Sequence, residues 1–204
     1  MAGPYYGAPP PNLESMSTPA ASGWSDMAEM LSERFHLDID LLRAMNPGVD
    51  FTRAGQRIVV PNVTQRRLAE VARIVVDKGD KAVLAYDAQG RLLAWYPATI
   101  GSSERPAPSG TLKVEGVANE PDYTYDPKRV SYDRGERKYV VPPGPNNPVG
   151  TVWIELSRDT YGIHGAPHPE QIGKTASNGC VRLTNWDAEA LAAGVKPGVT
   201  VVFR

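Results

Sequence analysis

Short runs of β-branched and aromatic residues, separated by turn signals, dominate the chain from Arg73 onwards. The first three runs are Ile74–Val76, Ala82–Tyr86 and Leu92–Tyr96, and they are separated by Asp-Lys-Gly-Asp and Ala-Gln-Gly turns. Runs of this length bounded by turn residues are typical of strands. We therefore expect a mostly β fold for this part of the chain.

A long stretch without apolar periodicity interrupts these strands. Residues 115–148 contain six prolines and four tyrosines. An irregular stretch of this length is typical of a functional loop or of disorder. Two interpretations are open for its tyrosines, which line a substrate groove or anchor the loop to the domain. The four tyrosines are Tyr123, Tyr125, Tyr132 and Tyr139.

Regular structure returns in the last third of the sequence. Strands are predicted at residues 150–156 and 161–163. Thr184 and Asp187 then form a capping pair ahead of an apolar helical stripe, and Val199–Phe203 predicts a final strand. One helix therefore lies between the last two strands.

The chain begins with a segment of low complexity. Residues 1–24 are rich in proline, glycine and serine and carry a single charged side chain, Glu14. Such a composition buries too little apolar surface to fold, which predicts a disordered tether. The whole chain of 204 residues has room for one domain with a core and a small second domain.

Residues 25–63 predict a small helix–helix–strand unit. Asp26 and Glu29 form a capping-box pattern before the first helix, a second helix covers residues 38–45, and Arg57–Pro61 predicts a strand. This unit resembles a LysM module, although it lacks a strand before its first helix. The resemblance implies binding of the glycan of peptidoglycan or chitin. The alternative is a spacer that only orients the following domain.

Charge and hydropathy exclude two classes of partner. The chain has 22 Lys+Arg against 23 Asp+Glu and a pI near 6.3, and no basic cluster marks a nucleic-acid surface. No apolar run approaches the roughly 18 residues of a membrane span. The first residues also lack a basic region followed by an apolar one, so the compartment has to be inferred from the substrate.

The single cysteine, Cys180, is the strongest functional signal. A free thiol with a pKa near 8.5 is a weak nucleophile at neutral pH, unless an imidazole or a helix N-terminus activates it. His164 lies 16 positions earlier, and the helix after Thr184 follows closely. Gly179 permits a tight turn, so its N–H and that of Cys180 are candidates to face an oxyanion. This arrangement predicts thiol acyl transfer.

The pattern His-Gly…Ser-Asn-Gly-Cys-Val-Arg-Leu resembles the L,D-transpeptidase catalytic domain of the YkuD family. The resemblance covers roughly residues 71–204. Two further segments match in the same order, the Ala-Pro-Ser-Gly turn at 107–110 and the Asn-Pro-Val-Gly strand entry at 147–154. The resemblance to this family implies a β-sandwich-like domain with a short helix beside the site.

By position in this motif, Cys180 is the nucleophile and His164 is the general base. The resemblance places five other residues around the thiol or the substrate: Gly165, Ser177, Asn178, Gly179 and Arg182. Arg182 is the candidate partner of a substrate carboxylate. Asn178 departs from the family, which usually has a histidine there, and leaves His164 as the motif-matched base.

The resemblance implies a reaction in two steps that needs no cofactor. Cys180 attacks the carbonyl at the L-centre of a diamino acid, commonly meso-diaminopimelate, in a tetrapeptide stem of peptidoglycan and expels D-Ala. An amine of another stem, of a protein or of a free D-amino acid then accepts the acyl group. With water as acceptor the protein is an L,D-carboxypeptidase, and without turnover it is a silent wall-binding protein. The substrate implies the periplasm or cell envelope.

Two other chemistries are weighed against this one. A zinc site of His164, His168 and Cys180 lacks an obvious fourth protein ligand, and the prolines around His168 exclude helical ligand spacing. Ser177 lacks the Gly-x-Ser-x-Gly turn of a serine nucleophile. We therefore expect no metal, and we expect Ser177 to form hydrogen bonds inside the site.

Overall fold

A computed structural model describes residues 5–18, 22–63, 68–102, 104–129 and 135–204. Within these residues the helices are α1 (Leu13–Met16), α2 (Met27–Arg34), α3 (Ile39–Met45) and α4 (Asn185–Gly194). The first six strands are β1 (Arg73–Asp77), β2 (Ala82–Tyr86), β3 (Leu92–Pro97), β4 (Gly110–Asn119), β5 (Tyr123–Tyr125) and β6 (Tyr139–Val141). The last four are β7 (Val152–Leu156), β8 (Gly162–His164), β9 (Val181–Arg182) and β10 (Thr200–Phe203).

Eight of these strands form one curled sheet, in the order β3-β2-β1-β10-β4-β7-β8-β9. The β1–β10 and β8–β9 pairs are parallel, and the other pairs are antiparallel. The chain just after β3 reaches the opposite edge, where Thr99 exchanges two backbone hydrogen bonds of 2.8 and 2.9 Å with Arg182. The predicted mostly β fold is confirmed, and curling brings its two edges together.

The core lies inside this curl and is sealed by α4. Thr184 caps α4 by accepting a hydrogen bond from the Asp187 N–H at 3.2 Å, as the capping pair predicts. Ala188 and Leu191 of α4 are fully buried in the same apolar cluster as Ile154 of β7. Because α4 follows β9 directly, this packing holds the end of the sheet that carries the predicted site.

The stretch predicted to be irregular, residues 115–148, contains more regular structure than its composition indicates. It holds the last residues of β4 and a two-stranded sheet of β5 and β6, in which Tyr123 pairs with Val141. Tyr123 faces the cleft described below, whereas Tyr125 is fully buried. Tyr132 lies outside the described residues.

The segment predicted to be a disordered tether forms ordered contacts in its described part. Leu13 of α1 packs against Tyr125 and Val141, and the Ser22 hydroxyl donates to the Pro142 carbonyl at 2.8 Å. These partners are more than a hundred positions away in the chain, so local composition does not reveal them. This contact braces the β5–β6 hairpin from outside the sheet.

The two helices predicted in residues 25–63 are confirmed, and the strand predicted at Arg57–Pro61 is wrong. Asp26 and Asp38 cap α2 and α3. Val59 forms its backbone hydrogen bonds with the Asn46 side chain, which accepts from the Val59 N–H at 2.6 Å and donates to its carbonyl at 2.8 Å. An asparagine amide therefore takes the place of a neighbouring strand.

None of the helices in the described ranges combines the length and apolar character needed to cross a membrane.

Candidate active site

The register of β8 and β9 brings the predicted nucleophile and base to one face of the sheet. These parallel strands align Ile163 with Val181 and His164 with Arg182. Side chains alternate along a strand, so Ile163 and Val181 enter the core while His164 and Arg182 point to the other face. Cys180, two positions before Arg182, shares that face.

This face forms the floor of a cleft of about 710 Å³. Trp153 and Glu155 of β7 extend the floor, and the β5–β6 hairpin and the β7–β8 turn form its walls. Arg129, which follows β5, pairs at 2.9 Å with Asp159 in the β7–β8 turn. The charged residues lining the cleft are Asp122, Asp126, Glu155, Asp159, Arg129, Lys138 and Arg182.

His164 is held as a neutral imidazole. It is only 3% exposed, stacks on Trp153 with the ring centroids 5.4 Å apart, and its Nδ1 lies 2.6 Å from the Gly165 carbonyl oxygen. Because a carbonyl oxygen only accepts, Nδ1 carries the proton and Nε2 keeps its lone pair. Burial, with a further contribution from the Arg182 charge, lowers the pKa of His164 to about 3.

Cys180 is also neutral, which corrects the prediction of a thiol biased toward thiolate. Its Sγ–H donates to the Thr160 carbonyl at 3.5 Å. Burial raises the pKa of the Cys180 thiol, and this outweighs the lowering by a Gly162 backbone hydrogen bond and by the charge of Arg182. The two groups therefore form an acid and a base that are both uncharged until a proton moves.

This state predicts slow alkylation of Cys180 at neutral pH. We expect its rate constant with iodoacetamide at pH 7 to be below that of glutathione, because the folded protein holds less thiolate. The rate should increase as pH rises past the ordinary thiol range. Mass spectrometry follows the reaction directly, since the chain has a single cysteine. A pH–rate profile with its midpoint below 7 would contradict the neutral thiol.

The turn before Cys180 is locked by a serine hydroxyl. Ser177 Oγ donates to the Cys180 carbonyl and accepts from the Gly179 N–H at 3.2 Å. The Gly179 N–H therefore points into the turn, which corrects its predicted place in an oxyanion cradle. Gly179 has φ +112°, and a Cβ there would lie 3.0 Å from the Tyr161 ring, so glycine is required. Ser177 and Gly179 shape the turn behind the cleft.

Some of the other predicted residues line the cleft, and the rest support the residues that do. Asn178 lines the cleft, and its Oδ1 accepts a hydrogen bond of 2.7 Å from Arg105. Arg182 also lines it, whereas Gly165 lies behind His164 and acts through its carbonyl. Of the seven residues predicted, the four that reach the cleft are His164, Asn178, Cys180 and Arg182.

Several residues of the site were not predicted from the sequence. Thr160 supplies the thiol's acceptor, and Tyr161 wedges against Gly179. Trp153 and Glu155 could have been found from the sequence, because the alternation in Trp-Ile-Glu and Gly-Ile-His indicates which side chains share the face of His164. No group of three or more metal-ligating His, Cys, Asp or Glu side chains occurs in the described ranges. His168 is not among the cleft residues and lies 3.5 Å from Glu170.

The sequence of this chain is similar to those of known proteins. Residues 71–203 match the family described as YkuD, L,D-transpeptidase catalytic domain. A Bacillus licheniformis protein named as the L,D-transpeptidase YkuD is 29% identical over 175 residues, 85% of this chain and 90% of that protein. The Escherichia coli protein named as the L,D-transpeptidase ErfK/SrfK is 32% identical over 164 residues, 76% of this chain and 52% of that protein.

Solved structures share the fold. An L,D-transpeptidase from Mycobacterium smegmatis superposes with a TM-score of 0.52 at 23% identity, over 67% of this chain and 59% of that chain. The catalytic domain of an E. faecium L,D-transpeptidase acylated by ertapenem gives a TM-score of 0.51 at 20% identity, over 66% of this chain and 98% of that one. With its curled sheet and the matched residues 71–203, the chain belongs to the YkuD family of L,D-transpeptidase catalytic domains.

Proposed function

We propose that this protein is a peptidoglycan L,D-transpeptidase in which Cys180 is the nucleophile and His164 the general base. The observation that carries this assignment is the register of β8 and β9, which directs the thiol and the imidazole into the same cleft. Family membership supplies the reaction class. The neutral states of both groups suit a mechanism in which the proton moves during attack.

The acylation step balances with these two groups. Sγ bonds to the carbonyl carbon at the L-centre of diaminopimelate as its proton passes to Nε2 of His164. The bond to the terminal D-Ala then breaks, and the imidazolium returns the proton to the departing amine. A thioester remains on Cys180.

The transfer step reverses these roles. An acceptor amine attacks the thioester carbonyl and loses a proton to Nε2, and the Cys180 thiol leaves with that proton. A stem peptide, a protein or a free D-amino acid supplies the amine, and water in its place gives carboxypeptidase activity. The low pKa of His164 favours the transfer of this proton from the imidazolium to the leaving sulfur, because the imidazolium is a strong acid in its buried setting.

Arg182 is the cation best placed to act on the reacting groups. It lines the cleft on the face of the thiol, and its charge lowers the pKa of both Cys180 and His164. A positive charge there favours thiolate and tetrahedral oxyanion as they form, and it attracts a stem carboxylate. Of the other basic residues in the cleft, Arg129 is paired with Asp159, and Lys138 lies near the β5–β6 hairpin.

For the N-terminal unit we propose a LysM-like role in holding glycan strands, with the protein in the periplasm or cell envelope. Support comes from α2 and α3 and from the exposed apolar side chains of Leu41 and Val59. The described residues of this unit do not line the cleft. Cosedimentation of the full chain with insoluble peptidoglycan tests this role, and a Leu41→Ser variant that binds equally well would count against it.

Incubation with tetrapeptide muropeptides tests the enzyme assignment. We expect D-Ala release, a tripeptide acyl adduct on Cys180 by mass spectrometry, and a new amide when an amine acceptor is present. Released D-Ala without the new amide would identify the carboxypeptidase alternative. Neither adduct nor D-Ala from the native protein would contradict both enzyme assignments and leave the silent wall-binding protein.

A further inference from the structure

Asn185 joins three separate segments behind the catalytic face. It is the first residue of α4 and is 3% exposed. Its Nδ2 donates to Glu33 Oε1 at 3.0 Å and to the Pro145 carbonyl at 3.1 Å, and its Oδ1 accepts from the Thr151 N–H at 3.3 Å. Both amide hydrogens and the amide oxygen are therefore engaged, which fixes the orientation of the side chain.

The Asn185 amide occupies space that two glycines leave open. A Cβ at Gly150 would lie 2.1 Å from Asn185 Oδ1, and a Cβ at Gly165 would lie 2.3 Å from it. Gly150 also has φ +64°, a conformation that favours glycine. The backbone on either side of the amide is thus packed against it without intervening side chains.

These two stretches of backbone are the ones that hold the catalytic imidazole. The Gly165 carbonyl lies 2.6 Å from His164 Nδ1, and the backbone of Val149, next to Gly150, raises the pKa of the ring. A shift of the Asn185 amide would move both stretches of backbone. Since acyl transfer depends on the direction of Nε2 toward the thiol, such a shift would reach the chemistry.

From these contacts we propose that Asn185 is a positioning residue for His164, and that Glu33 of the N-terminal helical unit holds Asn185 in place. The unit then contributes to catalysis in addition to any binding of glycan. Glu33 is suited to this task because it also accepts from Trp24 Nε1 at 3.3 Å, so that its carboxyl is held from both sides. The inference rests on the proposed role of His164 as base.

The test combines kinetics with ¹⁵N NMR of the full chain labelled at histidine. The sequence has three histidines, so the His164 nitrogens can be assigned by substitution of the other two. For Asn185→Ala we expect kcat to fall roughly 100-fold with KM changed less than twofold, as for a misplaced catalytic group. We also expect the two ring nitrogens of His164 to shift toward the average of a freely exchanging imidazole.

His36→Ala is the matched control for weakened docking of the N-terminal unit. His36 stacks on Trp186 of α4, the residue after Asn185, with the ring centroids 5.7 Å apart. This variant should lower thermal stability while kcat and the His164 nitrogen shifts stay as in the native protein. If it instead reproduces the effects of Asn185→Ala, docking in general controls the site and the specific role of Asn185 is overturned.

A partner exchange tests the Glu33 link and does not depend on the folding of Asn185→Ala. Asn185→Asp places two carboxyl groups together and should lose activity. Adding Glu33→Gln supplies an amide that donates to the new carboxylate, and we expect at least a tenfold recovery of kcat. Equal activity of the single and double variants would overturn the link. If the substitutions change the His164 NMR shifts but the native protein shows no transfer activity, the proposed function is contradicted and the positioning role of Asn185 is not.

Discussion

Replacing Cys180 by alanine is expected to reduce D-Ala release by at least about 10⁴-fold, as loss of a covalent nucleophile does in other acyl-transfer enzymes. The chain has no second cysteine to replace it. Ser177, the nearest hydroxyl in sequence, is held inside the turn by the Cys180 carbonyl and the Gly179 N–H. The fold should persist, because the thiol's hydrogen bond to Thr160 is long, at 3.5 Å, and contributes little.

Ser177→Ala provides the matched control for this prediction. It removes the hydroxyl that bridges the turn and leaves the thiol in place, so we expect a loss of about tenfold, in line with the 1–3 kcal/mol of a buried hydrogen bond. The thioester should still form on Cys180 and be visible by mass spectrometry. Substantial D-Ala release by Cys180→Ala would overturn the assignment of the nucleophile, whatever the behaviour of the control.

Local signals in the sequence were sufficient for the elements that carry the site. Asp26 and Thr184 cap the helices they were predicted to cap, because a capping bond spans only two or three residues. The alternation in Gly-Ile-His and Cys-Val-Arg turns His164 and Cys180 to one face once the two strands are neighbours. That His164 and Cys180 act together came from the family resemblance, since pattern alone does not specify which strands pair.

Long-range contacts explain what the sequence did not predict. The β5–β6 hairpin depends on pairing across its intervening loop and on Leu13, far away in the chain. The state of Cys180 depends on its burial in the folded protein and on the Thr160 carbonyl of the β7–β8 turn. The Glu33–Asn185 bond spans 152 positions. Each of these is a property of assembled segments, and each changes a role that local reasoning had assigned or omitted.

Glu33 gives the protein a second large and testable response, in stability. Burial raises its pKa from 4.5 to about 7, the carboxyl groups of Glu29 and Glu189 add to the rise, and hydrogen bonds from Trp24 and Asn185 oppose it. Between pH 4.5 and about 7 the folded state binds more protons at this group than the unfolded chain does. Stability therefore falls as pH rises through this window and is constant above it.

Glu33→Gln should remove this dependence while keeping an acceptor for Asn185. A shift from 4.5 to about 7 corresponds to a penalty on the order of 3 kcal/mol, from which the weakened Trp24 hydrogen bond subtracts about 1 kcal/mol. We expect the variant to be about 2 kcal/mol more stable than the native protein at pH 8 and no more stable at pH 4.5, by urea denaturation.

The control for this measurement is Glu70→Gln, which removes a carboxylate from an exposed pair with Lys196. Exposed pairs contribute about 0–1 kcal/mol, so this variant should follow the native protein closely at every pH. If Glu33→Gln also follows it, the carboxyl of Glu33 ionises in the folded protein as easily as in the unfolded chain. The N-terminal unit would then lie on α4 without burying that charge, and its grip on Asn185 would be correspondingly weak.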